Sequence, residues 1–165
     1  FLLVITNHHT EDWMKLAIGA LGDDSPDVVG VVAKVLTVTL QQMQEQQEKI
    51  IDFKSLFKSV SGAMTKHVES SVSACAVPLI GLLASIILKG HHWSHQPSKW
   101  LHIISPRLQL CLKFESSAVQ MAALEAIAKI FVLLSEKDIR CDVISVDQIV
   151  QEVFALFFDE FNHAL

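Results

Sequence analysis

The residues in this 165-residue chain whose type and spacing come nearest to chemistry are three histidines in "GHHWSH", His91, His92 and His95. His91 and His95 have the i, i+4 spacing that sets two imidazoles on one helical face. Zinc, however, takes four ligands, and its catalytic sites draw three from protein. No Asp, Glu or Cys lies between Gly90 and Pro106 to complete such a set. The flanking Gly90 and Pro97 predict a solvated loop. His8 and His9 read the same way. Glu160 and His163 have the Glu-x-x-His spacing of a di-iron ligand pair, but that site needs a second copy and further carboxylates, and the sequence has no second copy. Gly-x-Ser-x-Gly, His-Glu-x-x-His and a phosphate-cradling glycine loop are also missing. "SVSGAM", residues 59–64, continues a helical pattern and reads as packing. The sequence thus nominates no catalytic residue, no cofactor ligand and no metal ligand.

What remains is recognition of other molecules. Trp and Arg are enriched where binding energy concentrates. Trp93, in the predicted loop, and Arg107 are therefore candidate partner contacts, whereas Trp100 and Phe114 nearby read as core. Phe157, Phe158 and Phe161 join the candidates. With Val150, Val153, Phe154 and Leu156 they spread around more than one face of a predicted last helix, too many apolar groups for one buried stripe. "QQMQEQQEK", residues 41–49, is read as a polar, solvated helix end.

Composition narrows the classes. The chain is 51% apolar and 19% charged, with mean hydropathy +0.40, where soluble domains carry roughly a quarter charged residues. It is short of solvating surface. Either a membrane or further protein is expected to cover part of it. "FLLVIT", residues 1–6, lacks an initiator Met and a basic leader, and reads as the end of a helix begun upstream. A net charge of −5 with scattered Lys and Arg offers no basic stripe for nucleic acid. Three cysteines, Cys75, Cys111 and Cys141, form no close pair. They predict no disulfide framework and a reducing interior, cytoplasmic or nuclear.

The elements read as helices throughout. Thr10 and Gly22 bracket a helix over about 11–21. Ser25-Pro26 opens a second, with Val28, Val31, Val32, Val35, Leu36 and Met43 in helical rhythm. Phe53, Leu56, Phe57, Val60 and Met64 mark a third over about 52–67. "SSVSACAVPLIGLLASIILKG", residues 70–90, is a fourth. A short helix over 98–104 is followed by a second Ser-Pro start at Ser105-Pro106, and then a long helix runs from about Ser116 to Ser135. Ser145 and Gln148 form a capping box for the last, with Ile144 and Ile149 as its staple. The sum is about eight helices and no strand, one all-α domain over 1–165.

Two of these helices repeat. "ESSVSACAVPLIGLLASIILK" from Glu69 and "ESSAVQMAALEAIAKIFVLLS" from Glu115 lie 46 residues apart. A third copy, "SPDVVGVVAKVLTVTLQ", begins at Ser25, 91 residues before Ser116. That offset sets Val28, Val31, Val32, Val35 and Leu36 against Val119, Ala122, Ala123, Ala126 and Ile127. The small residues Ala122 and Ala123 are expected at a tight helix contact. "SPDVVGVVAKVL" and "SSAVQMAALEAIAKI" resemble the start of the long buried helix of armadillo and HEAT-type repeats, whose period is about 40–47 residues. The likeness covers most of residues 11–135. It implies a right-handed α-solenoid of about three to four repeats, near 10–48, 52–90 and 97–135, with a C-terminal helix at 145–163. Such an array is a non-enzymatic scaffold that binds protein partners along its surface. The Asn and Trp ladders by which some armadillo proteins read basic signals are absent, since Asn7 and Asn162 are the two asparagines.

In that frame residues 70–90 form a central helix covered by its neighbours. A membrane span needs about 20 apolar residues, and Val72–Leu88 supplies 17. The sister copy carries Gln120, Glu125 and Lys129 and is expected not to span. Alternatives are a compact all-α subunit buried in a larger complex, or a membrane-associated helical protein. The histidine reading is open to direct measurement: no stoichiometric zinc should survive dialysis of the chain against a weak chelator, and one retained zinc per chain would contradict it.

Overall fold

Ser25 and Pro26 begin a helix where the sequence places it, Ser25 in extended backbone and Pro26 in the first turn, where its missing N–H is no loss. Around this helix the computed structural model describes residues 7–43, 48, 51–68, 74–90, 97–136 and 151. The described residues are all-helical, with no strand. They comprise α1 (Asn7–Ala20), α2 (Pro26–Gln42), α3 (Phe53–Ala63) running into a π-helical turn (Met64–Val68), α4 (Ala76–Gly90), α5 (Pro97–Leu112) and α6 (Ser117–Glu136). The chain divides into two compact units, residues 1–95 and 96–165.

In the first unit α1 packs on α2 and α3, and α4 packs on α2 and α3. α1 begins at Asn7, so Thr10 lies inside it and does not cap it, and His8 and His9 are helical, not in a loop. α3 is held at its start by Asp52, whose Oδ1 accepts the Ser55 amide at 3.0 Å. Phe53, Leu56, Phe57, Val60 and Met64 are all buried, the stripe the sequence predicts. α4 has no dry and wet side: the six residues Leu82 to Ile87 are buried in succession. Six residues exceed the 3.6 of one turn, so burial runs right around the helix. Pro78 sits in the first turn of α4, where proline is tolerated.

α2 and α4 run side by side in the same direction. Near their starts, Gly30 is buried, and a Cβ built on it would stand 3.6 Å from Cα and Cβ of Cys75. Near their ends, Lys89 Nζ donates to the Met43 carbonyl at 3.2 Å. Between these points α2 buries Val29, Ala33, Leu36 and Leu40. Full burial of an aliphatic side chain contributes about 1.5–3 kcal/mol. Val28, Val31, Val35 and Val38 are exposed, so of the helical rhythm read from Val28, Val31, Val32, Val35, Leu36 and Met43 the buried members are Leu36 and Met43. α2 carries apolar residues on two opposite sides, and the smaller, mixed set faces the core.

In the second unit α5 and α6 form a helical hairpin through the turn at 113–116. The sequence predicts a break at Ser105-Pro106, but α5 runs through it with Pro106 inside. Proline there removes the amide that would bond the His102 carbonyl and crowds the preceding turn. Pro106 faces solvent, and Arg107 Nη1 donates to the Ile103 carbonyl at 2.6 Å, so the disturbed turn gains a charged side-chain donor. Buried Leu101, Ile104 and Leu108 on either side hold the helix to α6 across the break. One continuous helix thus replaces the short and medium helices expected here. On α6, Ala123 is buried and Ala122 is half-buried, so the burial expected of both is met at Ala123 alone.

Two measurements check this packing. A Cβ at Gly30 meets its neighbours at ordinary contact distance, so Gly30→Ala should raise stability by about 0.5–1 kcal/mol through helix propensity. Gly30→Leu should overpack and lower it by about 1–3 kcal/mol. The second concerns Asp52, whose carboxyl is held below its usual range, chiefly by the Ser55 amide. A lowered folded-state pKa stabilises above the unfolded value, near 4, and is lost as pH falls through the folded value. Asp52→Ala should cost about 0.5–2 kcal/mol at pH 7, with the gap to the parent protein closing below about pH 4 in parallel thermal melts.

Candidate functional site

Chemistry-bearing side chains gather at the two ends of the α2–α4 pair. At one end, the π-helical turn after α3 reaches the α1–α2 turn. Its wider winding presents Lys66 and His67 to the same loop. Lys66 Nζ donates to the carbonyls of Gly22 and Asp23, each at 3.1 Å, and to the carboxylate of Asp24. His67 is buried, and its Nε2–H donates to the Asp23 carbonyl at 3.1 Å. These carbonyls follow the C-terminus of α1, where a cation complements the helix dipole. Lys66 lowers the Asp24 pKa by its hydrogen bond and charge. Asp24 is almost wholly exposed, and ion pairs of that kind contribute little. The contacts to carbonyls carry this clasp.

At the other end Lys89 Nζ reaches the Glu48 carboxylate at 2.7 Å as well as the Met43 carbonyl. Glu48 is 4% exposed. The sequence reading of residues 41–49 as a solvated helix end is therefore corrected at Glu48, while Gln41 and Gln42 are exposed as expected. A carboxylate this deep requires a partner, and Lys89 is that partner.

Among the described residues, a row of exposed valines on α2 is open to another molecule. Val28, Val31, Val35 and Val38 repeat at i, i+3, i+7 and i+10, and Val31 is 61% exposed. They lie opposite the buried Val29, Ala33, Leu36 and Leu40. The same phase recurs elsewhere. Val29, Cys75 and Val119 are buried, as are Ala33, Leu79 and Ala123, Leu36, Leu82 and Ala126, and Leu40, Ile86 and Ile130. Val31, Val77 and Met121 are exposed in the matching places. These positions of α2, α4 and α6 correspond at offsets of 46 residues (29 to 75) and 44 residues (75 to 119), although α4 is also buried at Ile80, Leu83, Ala84, Ser85 and Ile87, where α2 is exposed or half-buried. In this correspondence 29 to 119 is 90 residues, against 91 in the sequence alignment, and 75 to 119 is 44, against the 46 that separates Glu69 from Glu115. One residue turns a helix by about 100°, enough to exchange a buried face for an exposed one.

Of the candidate contacts read from sequence, Arg107 lies in α5, half-buried, with Nη1 on the Ile103 carbonyl. Trp100 and Phe114 are half-buried. Trp93, Phe157, Phe158 and Phe161 lie outside the described residues, as do the side chains of His8, His9, His91, His92, His95, Glu160 and His163. Among the described residues no group of three or more His, Cys, Asp or Glu could hold a metal ion. Cys75 and Cys111 are free and buried, as expected. Burial raises the Cys75 thiol pKa and pushes that of Cys111 up to about 12. Neither supplies a thiolate nucleophile at neutral pH.

Ser117–Ser135 of α6, 19 residues, is long and apolar enough to cross a membrane by length and composition, with mean hydropathy 1.7 over its most apolar 18-residue window. It passes that criterion with Gln120, Glu125 and Lys129 inside it, as the core helix of a soluble protein can also do. Lys129 Nζ and Glu125 Oε1 pair at 2.6 Å, and 39% of the window is buried inside the protein. α4, at 15 residues, is too short.

Comparison with protein-family models, with curated proteins and with solved structures finds no match. The site is therefore read from its own chemistry.

The Glu48–Lys89 clasp makes a defined prediction. Lys89→Met should cost about 1–3 kcal/mol, because it strands a buried carboxylate while part of the lysine was already in water. Glu48→Leu combined with Lys89→Met should cost less than the two single changes added together. Urea unfolding of the four proteins reads the coupling directly, and simple additivity would contradict the pairing.

Proposed function

We propose that this chain is a non-enzymatic scaffold, a segment of an armadillo- or HEAT-like α-solenoid that binds other proteins along its helical surface. The observation that carries the reading is the parallel pairing of α2 with α4 at a 46-residue offset. Repeat arrays stack equivalent helices in this way, each against its neighbour one period on. The bonds that Lys66, His67 and Lys89 make to the 22–24 turn, Met43 and Glu48 span 41 to 46 residues of sequence, close to the same period. The positions of α2, α4 and α6 that are buried in common at these spacings support the reading further.

In such an array the exposed phase of successive helices lines a common surface. Val28, Val31, Val35 and Val38 are then the contact residues, nearly free of charge and suited to an apolar protein partner, not to nucleic acid or a small polar ligand. The partner is another protein chain or further repeats. The reading extends to a reducing, intracellular setting, in keeping with two buried free cysteines.

A membrane-associated helix is the second reading, and α6 carries it. Flotation with liposomes separates the two: the scaffold stays at the bottom of the gradient, whereas a membrane-bound chain rises. Small-angle scattering tests the solenoid. A globule of this length has a radius of gyration near 15 Å, and a stacked array should exceed it clearly in a monomeric sample. Val31→Asp with Val35→Asp should leave helicity and melting temperature unchanged while abolishing binding to a protein captured by the parent chain. Binding that survives the double change would remove the valine row from the account.

A further inference from the structure

We draw no further inference here: the strongest candidate, the exposed row Val28, Val31, Val35 and Val38 on the outer side of α2, belongs to the surface already described, and nothing in the structure shows what covers it.

Discussion

The first unit depends on the parallel contact between α2 and α4. It is an apolar contact along its length and a polar one at its ends. Gly30 marks where it is close: a Cβ there would already touch Cys75 before the start of α4, leaving no room for a larger side chain. Leu36 and Leu40 fill the middle, fully buried. Lys89 then fixes the register, tying the end of α4 to the end of α2, and Lys66 secures the turn that leads into α2, tying it to the π-helical turn. The hydrophobic effect is non-directional and would tolerate sliding. Hydrogen bonds to particular carbonyls do not, so the polar ends select one alignment among the many the apolar faces allow.

That division of labour explains what could be read in the sequence. Ser25-Pro26, the Phe53–Met64 stripe and the all-round apolarity of residues 76–90 are local signals, and each survives in the structure. Asp52, which the sequence reading places inside the helix over about 52–67, is an N-cap of the ordinary kind. The phase of α2 was not legible. Both of its faces are aliphatic, and valines outrank Ala33 and Gly30 in hydrophobicity, so composition favours the wrong side. What decides is the partner's shape: α4 needs a small, close face, and Gly30 and Ala33 provide it. Pro106 is a second case. The local rule ends a helix at Ser-Pro, yet burial of residues before and after it outweighs the lost bond.

The buried charge was the least legible of all. Glu48 sits in a glutamine-rich run that looks solvated, and Lys89 terminates an apolar run as any surface lysine might. Their pairing joins residues 41 positions apart, and pattern reading along the chain has no term for it. The alignment of the segments from Ser25, Glu69 and Glu115 misses the burial correspondence by one residue between α2 and α6 (91 against 90) and by two between α4 and α6 (46 against 44). Backbone spacing tolerates that error and side-chain facing does not, which is why the valine row emerged from the structure and not from the alignment of the copies.

The central claim is that α2 and α4 are parallel neighbours with Val31 level with Val77. Nitroxide labels on cysteines placed at Val31 and Val77, both exposed, read this by pulsed electron resonance, with the native cysteines replaced. A second sample pairs Val31 with Leu88, eleven residues further along α4 and about 16 Å along its axis. The account predicts the shorter distance for Val31 and Val77. A shorter distance for Val31 and Leu88 would mean that the helices run antiparallel or out of register, and would contradict it.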